Sequence, residues 1–470
     1  MKDIDRRLVQ VVPSQRQLDY QQLEFYSFIH FTVNTFTGEE WGAGTENPAI
    51  FNPTKLVKQW VKAIKAAGMK GLILTCKHHD GFCLWPSKYT EHTIAKSPYK
   101  DGKGDIVKEV SDACKEGGIK FGVYLSPWDR NQGTYGYGKI YNDYFINQLT
   151  ELLTNYGEVF DVWFDGACGE GTNGKKQVYD WDRYYKMIRS LQPNACINVC
   201  GPDIRWCGNE AGDTRAAEWS VVPKRTSETE LIAEASQQAD NEAFRERKVN
   251  AADGDLGSRE ILENETDLIW YPAEVNTSIR PGWFYHEEED NRVRSLEELL
   301  RIYYNSVGGN AMFLLNIPPT KEGLIHVNDV KRLQEIGEYL EHAFQTNLMD
   351  KAYLTADSSM DGYGIIKVRA DNYQSYYKTE DGITTSVIDI CWEEMQVISH
   401  VVLKENIMCS QRIEKYSIAV EQEGEYTTVY EGTVVGYKRI VQLDSIETTK
   451  VRIEILDARV APTMSFIGIY

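Results

Sequence analysis

Four times in its first 200 residues the chain passes through one unit: an amphipathic helix, a glycine, a short apolar strand, then a polar or aromatic tip. Residues Pro53 to Ala67 carry Leu56, Trp60 and Ile64 at helical spacing, and Gly68 supplies the left-handed residue that ends a helix. The strand Gly71-Leu72-Ile73-Leu74-Thr75-Cys76 follows and ends at Lys77-His78-His79-Asp80-Gly81. Asp105 to Glu116 repeats the helix, Gly117-Gly118 stops it, and Ile119 to Leu125 leads to Ser126-Pro127-Trp128-Asp129. Tyr141 to Tyr156 with Gly157 precedes Val159 to Phe164 and the tip Asp165-Gly166; Trp181 to Leu191 precedes Ala195 to Val199. The strand ends at 76, 126, 165 and 199 lie 50, 39 and 34 residues apart, room for one crossover helix each. Such alternation dictates a parallel sheet, doubly wound or closed into a barrel. Further strands are expected at Tyr26 to Phe31, Ala216 to Val222, Leu268 to Ala273 and Met312 to Leu315. Eight strands point to a (β/α)8 TIM-like barrel of about 345 residues. No Gly-x-Gly-x-x-Gly follows the first strand, which counts against a dinucleotide-binding sheet.

The pattern changes after Phe344. The helix Val327 to Phe344 closes the barrel, and beyond it Val, Ile, Thr and Tyr come in short alternating runs. His400 to Glu405, Tyr416 to Val420, Tyr426 to Tyr430 and Lys450 to Ile455 read as antiparallel strands of a β-sandwich. The expected division is therefore a catalytic barrel over 1–345 and a C-terminal sandwich over 346–470. Residues 223–265 are too long and charged for an ordinary connection and are expected to form an insertion near the barrel mouth.

Charge narrows the partners. Against 70 Asp and Glu there are 51 Lys and Arg, a net charge of −19, so nucleic acid and anionic membranes would be repelled. No run reaches the roughly 18 apolar residues of a membrane span, so no membrane insertion is expected. The start, Met1-Lys2-Asp3-Ile4-Asp5, lacks the apolar stretch of a secretory signal, which leaves two compartments open: cytoplasm, or periplasm and exterior if a signal has been removed. Nine cysteines include no Cys-x-x-Cys pair, and Cys196, Cys200 and Cys207 are expected to be buried free thiols.

In a barrel, reacting groups sit at the C-terminal ends of the strands. In Val159-Phe160-Asp161-Val162-Trp163-Phe164-Asp165 a period of two puts Asp161, Trp163 and Asp165 on the inner face, and Phe160, Val162 and Phe164 against the helices. Asp165 then stands at a strand mouth, with Gly166 leaving the space beside it open; Asp161, deeper, is expected to be a hydrogen-bonded core carboxylate. The next mouth runs from Cys200 to Gly212, and Glu210 near its end is the candidate partner, with Glu218 the runner-up. Two carboxyls on adjacent mouths suit glycoside cleavage, one as nucleophile and one as acid. His78 and His79 raise the question of a metal, but neighbours on an extended strand face opposite ways, so hydroxyl binding is expected and no metal or cofactor. Trp41, Trp85, Trp128, Trp206 and Trp283 lie near the tips and suit the apolar face of a sugar.

At these residues a family becomes recognisable. Tyr26 to Thr32, Thr37-Gly38-Glu39-Glu40-Trp41-Gly42, Thr75 to Phe82 and Val162-Trp163-Phe164-Asp165-Gly166 resemble the α-L-fucosidases of glycoside hydrolase family 29. Gly201 to Gly212 together with Pro272 to Trp283 is similar to its subfamily B, which acts on α-1,3/1,4-linked fucose of branched, Lewis-type glycans. The tail, with Ile407 to Ile413 and Val435 to Ile440, resembles the discoidin-like sandwich that accompanies such barrels. The resemblance implies a retaining exo-fucosidase with Asp165 as nucleophile and Glu210 as acid/base, their carboxyls about 5–5.5 Å apart. It further implies that His30, His78 and His79 hold fucose hydroxyls, with Glu39, Trp41 and Tyr124 also in the substrate-binding set and Glu274 and Trp283 facing the branched aglycone. The partner is then a fucosylated oligosaccharide or glycoconjugate. Two other readings stand beside this one: a glycan-binding module on a catalytically inactive barrel, and a metal-dependent hydrolase built on His78 and His79.

Overall fold

The computed structural model describes residues 3–55, 57–236 and 254–470. Eight parallel strands form the N-terminal sheet: β1 (Phe25–Ile29), β2 (Gly71–Lys77), β3 (Lys120–Leu125), β4 (Asp161–Phe164), β5 (Cys196–Val199), β6 (Arg205–Trp206), β7 (Ala273–Ser278) and β8 (Ala311–Asn316). Their hydrogen-bonded order is β5-β4-β3-β2-β1-β8-β7-β6. A single parallel bridge between Asn198 and Ile204 joins the two ends and closes the ring.

The helices between strands form where the sequence supplies caps and one apolar face. Asp105 accepts the Lys108 N–H at 2.9 Å and starts the helix Ile106–Gly117, and Gly118 ends it at φ 69°. That helix buries Ile106, Val107, Val110, Ala113 and Cys114. Asp180 starts Trp181–Leu191 in the same way. The expected helix over Pro53 to Ala67 is shorter, Lys58–Ala66, because Pro53 to Lys55 lie outside it; Leu56 lies outside the described residues.

The sixth and seventh strands differ from expectation. Val221–Pro223 and Leu268–Trp270 pair with each other antiparallel, outside the barrel. Their places are taken by Arg205–Trp206 and Ala273–Ser278, joined by backbone bonds from Arg205 N to Pro272 O (2.9 Å) and Cys207 N to Glu274 O (3.0 Å). The reason lies in the lumen. β7 reads Ala-Glu-Val-Asn-Thr-Ser, and its polar residues are buried against polar partners, so an apolar run was the wrong signal there. Phe160 also departs from the alternation: it precedes β4 and packs against Tyr20 and Tyr26 at centroid distances of 5.5 and 6.2 Å. Within the insertion, Thr229–Ser236 and Arg259–Leu262 are helical, and residues 237–253 lie outside the described set.

The C-terminal region is antiparallel β. Tyr353–Ala356, Ser386–Lys404, Ile413–Gln422, Glu425–Gly432, Arg439–Ala458 and Phe466–Ile469 hydrogen-bond as one six-stranded sheet. Two of these strands run 19 and 20 residues, and register shifts near Cys391 and Ile398 interrupt their pairing. The sheet is pinned to the barrel base. Glu24 accepts from Tyr437 OH at 2.7 Å and pairs with Lys438 at 3.0 Å. Burial alone would raise its pKa, but Lys438, Lys404 and Lys70 outweigh it and hold the carboxyl down to about 2. Cys196, Cys200 and Cys207 are buried and unpaired. Among the described residues no helix is long and apolar enough to cross a membrane.

The closing helix, Val327–Ala343, crosses Lys58–Ala66 at Gly337, where a Cβ would collide with the Ala66 carbonyl oxygen and approach its carbon to 2.9 Å. Backbone cannot yield as a flexible side chain would. Gly337→Ala should therefore destabilise the protein by about 1–3 kcal/mol, read as a lower denaturation midpoint; an unchanged midpoint would show that the two helices separate freely.

Candidate active site

The strand ends converge on one cavity. His30 follows β1, His78 and His79 follow β2, Tyr124 lies near the end of β3, and Asp165 follows β4. Trp206 ends β6 and donates its indole N–H to Asn276 of β7 at 2.8 Å. Val199, at the end of β5, also lines the cavity and has a φ of 63°. That conformation is costly for a β-branched residue.

Asp165 is held from two sides. Tyr124 donates its phenol proton to Oδ2 at 2.8 Å, and the Ala167 N–H donates to Oδ1 at 2.8 Å. Burial first, and then the Asp165 charge, push the Tyr124 pKa well above its ordinary value, so it stays a donor. The space beside Gly166 is not open, as the sequence suggested. A Cβ there would collide with Ser236 Oγ and lie 2.9 Å from its Cβ, because the helix Thr229–Ser236 crosses at that point. Only glycine permits this approach.

The histidines are neutral acceptors. Burial lowers the pKa of His30 and of His79 to about 4, and that of His78 well below the ordinary value. Ser126 donates its hydroxyl to Trp128 O at 2.6 Å, so it receives the His79 Nδ1 proton at 2.7 Å. Nε2 of His79 is then a lone pair, 3.7 Å from Asp165 Oδ2. Asn316 spends its amide protons on Ser278 Oγ (2.9 Å) and Trp283 O (2.8 Å), so its oxygen receives His30 Nδ1–H at 2.8 Å. His78 Nδ1 is buried with no hydrogen-bond partner among the described residues. The two neighbours do not face opposite ways: their rings lie 4.1 Å apart and both line the cavity. β2 has ended at Lys77, and a turn from Gly81 N to His78 O (3.0 Å) replaces strand alternation. Ligand atoms of His78, His79 and Asp165 lie within 4.8 Å of one another, a group that could hold a divalent cation among the described residues.

Glu210 reaches the same cavity from the loop after β6. Trp283 donates its indole N–H to Glu210 Oε2 at 3.1 Å, and Thr277 Oγ1 donates to the Glu210 carbonyl at 2.7 Å. Trp283 is thus more than a flat surface; it orients the carboxyl. Its own backbone N–H is held by Glu40 Oε2 at 2.9 Å, and Glu40 Oε1 lies 2.6 Å from His286 Nε2. Glu40 was missed in the sequence, where Glu39 was chosen. Gly38 ends the short helix Val33–Thr37 at φ 79°, after which Glu39 is exposed and Glu40 lines the cavity. Adjacent glutamates offered no sequence signal to choose between them.

Trp41 lines the cavity, 5.3 Å from the Trp128 ring, whereas Trp85 is core and bonds Glu151 at 2.8 Å. Glu218 is buried in an ion pair with Arg205 at 2.8 Å. Glu274 does not line the cavity. It is fully buried and accepts from Trp163, Tyr20, Tyr26 and Asn198. Asp161 beside it is the buried, hydrogen-bonded carboxyl expected, 3.3 Å from Tyr20 OH.

A barrel whose mouth gathers two carboxyls, neutral imidazole acceptors and tryptophan faces defines a glycoside hydrolase. The alpha-L-fucosidase family profile matches residues 17–343. The chain is 38% identical over 469 residues to alpha-L-fucosidase 1 of Arabidopsis thaliana, covering 98% of this chain and 87% of the plant protein. A Ruminococcus gnavus GH29 fucosidase solved in complex with fucose superposes with a TM-score of 0.84 at 30% identity, covering 98% of this chain and 95% of that one. A glycoside hydrolase 29 family member from an unknown rumen bacterium gives a TM-score of 0.78 at 37% identity over 98% and 77% of the respective chains. The chain belongs to the alpha-L-fucosidase family.

The buried histidines carry a pH signature. With a folded pKa of about 4 against 6.5 unfolded, His79 leaves a proton to the unfolded state between those values. Stability contributed by neutral His79 is therefore whole above pH 6.5 and falls, by on the order of 3 kcal/mol, as pH drops to 4. His79→Gln, which cannot titrate, should show a shallower loss of unfolding free energy over that interval; equal slopes in denaturant titrations of both proteins would reject the buried neutral state.

Proposed function

We propose that this alpha-L-fucosidase works by double displacement with retention, and that it removes α-1,3/1,4-linked fucose from branched, Lewis-type glycans. The observation that carries the reading is that Asp165 and Glu210 line one cavity, each fixed by a neutral donor, with uncharged imidazole acceptors beside them. Asp165 attacks the anomeric carbon of fucose while Glu210 gives its proton to the leaving oxygen. The resulting fucosyl ester is opened by water, whose proton Glu210 takes back. Tyr124 and the Ala167 N–H keep the attacking carboxylate from rotating, so little orientation remains to be lost in the transition state. His30, His78 and His79 accept hydroxyl protons of the sugar, and Trp41 covers an apolar face. On the same reading residues 1–345 carry the chemistry and 346–470 form a carbohydrate-binding-type module.

Asp165→Ala should lose at least about 5 kcal/mol of transition-state stabilisation. Azide should restore turnover of an aryl α-L-fucoside and give the β-fucosyl azide. A folded variant with wild-type rate would dismiss Asp165 as nucleophile. Running the wild type with a chelator tests the cation reading of His78, His79 and Asp165: activity that disappears with the chelator and returns with a divalent cation would replace the hydroxyl-binding role.

Linkage preference is read from a digest panel. A second sugar next to the fucose contributes binding that is expressed in the transition state. Branched trisaccharides with galactose beside the fucosylated N-acetylglucosamine should then exceed linear α-1,2-fucosides and aryl fucosides in kcat/KM by about tenfold or more. Equal values across the panel would reject the branched specificity.

A further inference from the structure

Beneath the cavity lies a carboxylate that the chemistry above does not use. Glu274 stands in β7 with none of its surface exposed, and it is separated from the cavity by Trp163. Its Oε1 accepts the Trp163 indole N–H at 2.8 Å. Its Oε2 accepts from Tyr26 OH at 2.5 Å, from Tyr20 OH at 3.0 Å and from Asn198 Nδ2 at 3.0 Å. Four donors and no acceptor surround this carboxylate, three of them on Oε2, the pattern of an ionised group. Asp161 has one side-chain partner, Tyr20 OH at 3.3 Å, and its Oδ1 accepts no hydrogen bond among the described residues. Two buried carboxyls with a shared donor cannot both hold charge at low dielectric. Burial raises the pKa of both carboxyls. Asp161 is pushed well above its ordinary value because the Glu274 charge adds to burial, whereas four hydrogen bonds oppose the rise at Glu274, so Asp161 keeps the proton.

Trp163 connects this charge to the reacting group. Its indole faces the Tyr124 ring at a centroid distance of 5.4 Å and 26° between planes, and meets Phe28 edge-on at 5.1 Å. Tyr124 in turn holds Asp165 at 2.8 Å. An indole can rotate and slide on a stacked neighbour unless its N–H is tied, and here the tie is the charged carboxylate, a stronger acceptor than any neutral group available. We propose that Glu274 is a positioning residue of the fucosidase reaction: by holding the Trp163 indole it sets the Tyr124 ring and through it the orientation of Asp165. The inference rests on Asp165 being the nucleophile.

A double-mutant cycle on turnover of an aryl α-L-fucoside tests it. Glu274→Gln presents either a weaker acceptor or an opposing N–H to the indole, and Trp163→Phe removes the tied donor. Each single variant should lower kcat by about ten- to a hundredfold, the scale of an ångström misplacement of a reacting group, with KM within about threefold. Because both cut one link, the double variant should be no slower than the worse single. Losses that multiply would overturn the inference, since Glu274 would then act by another route. If Glu274→Gln does not fold, Trp163→Phe decides alone: a folded variant with wild-type kcat overturns it, and a loss in kcat with KM kept supports it. Azide rescue of Asp165→Ala is scored separately, so a failed nucleophile assignment is told apart from a failed coupling between Glu274 and Trp163.

Discussion

Donors from β1, β4, β5 and the helix Gln15–Gln21, which precedes β1, converge on the one carboxylate of Glu274, presented by β7. A parallel barrel must fill its own lumen, and most fill it with branched aliphatic side chains. Here much of the lumen is aromatic, with Tyr20, Tyr26, Phe28, Tyr124, Phe160 and Trp163 in one cluster. Aromatic rings with polar ends need acceptors once they are buried. Glu274 supplies one to Tyr20, Tyr26 and Trp163 together. Removing such an acceptor would leave several buried donors unsatisfied, at roughly 1–3 kcal/mol each. The floor of the cavity is therefore a polar network satisfied from below, and it is stiff for that reason.

The mouth has its own anchor. Lys77 and Asp129 form an ion pair of 2.8 Å with neither side chain exposed, and Gln148 accepts a second Lys77 proton at 2.9 Å. Asp129 also caps the loop after β3 by accepting the Asn131 and Gln132 N–H groups at 3.0 and 2.9 Å. The pair joins the tip of β2 to the loop after β3, which places the His79 ring beside Trp128. Breaking a buried pair by removing one partner costs about 3–5 kcal/mol, so the cavity wall is bound into the fold. Above this floor and wall, neutral imidazoles provide hydrogen-bond acceptors without adding positive charge to a cavity that Asp165 and Glu210 also line.

The insertion and the C-terminal sheet act on the barrel from outside. Ser236 and Ile232 close over Gly166, next to the nucleophile candidate, and the helix that carries them buries no residue of its own. The six-stranded sheet lies against the base, where Glu24, Lys404, Tyr437 and Lys438 share one charge network. Catalytic mouth and accessory sheet thus load different parts of the barrel.

Much of this was written in local pattern. The first five strands follow from helix caps, terminating glycines and apolar runs, all short-range properties that the chain cannot change by folding. Asp165, at the end of an alternating strand, was legible because period two decides which face a residue takes. Glu210, His78 and His79 stand at strand-end loops that the pattern marks, and the cavity gathers them with His30, whose place only the motif resemblance implies. The sixth and seventh strands were not legible. A two-residue strand leaves no pattern, and β7 is polar because its partners in the lumen, Trp163, Tyr20 and Tyr26, come from remote parts of the chain. Glu40 and Glu39 are equivalent in sequence, and only the turn after Gly38 tells them apart. The resemblance implies that Glu274 faces the aglycone, and tertiary contacts make it a buried hub instead. The sequence by itself determined the repeating unit and the strand-end chemistry, since both depend on neighbours within a few residues. The tertiary structure decided which carboxylate faces the cavity and which supports it, because burial and donor supply belong to the assembled barrel.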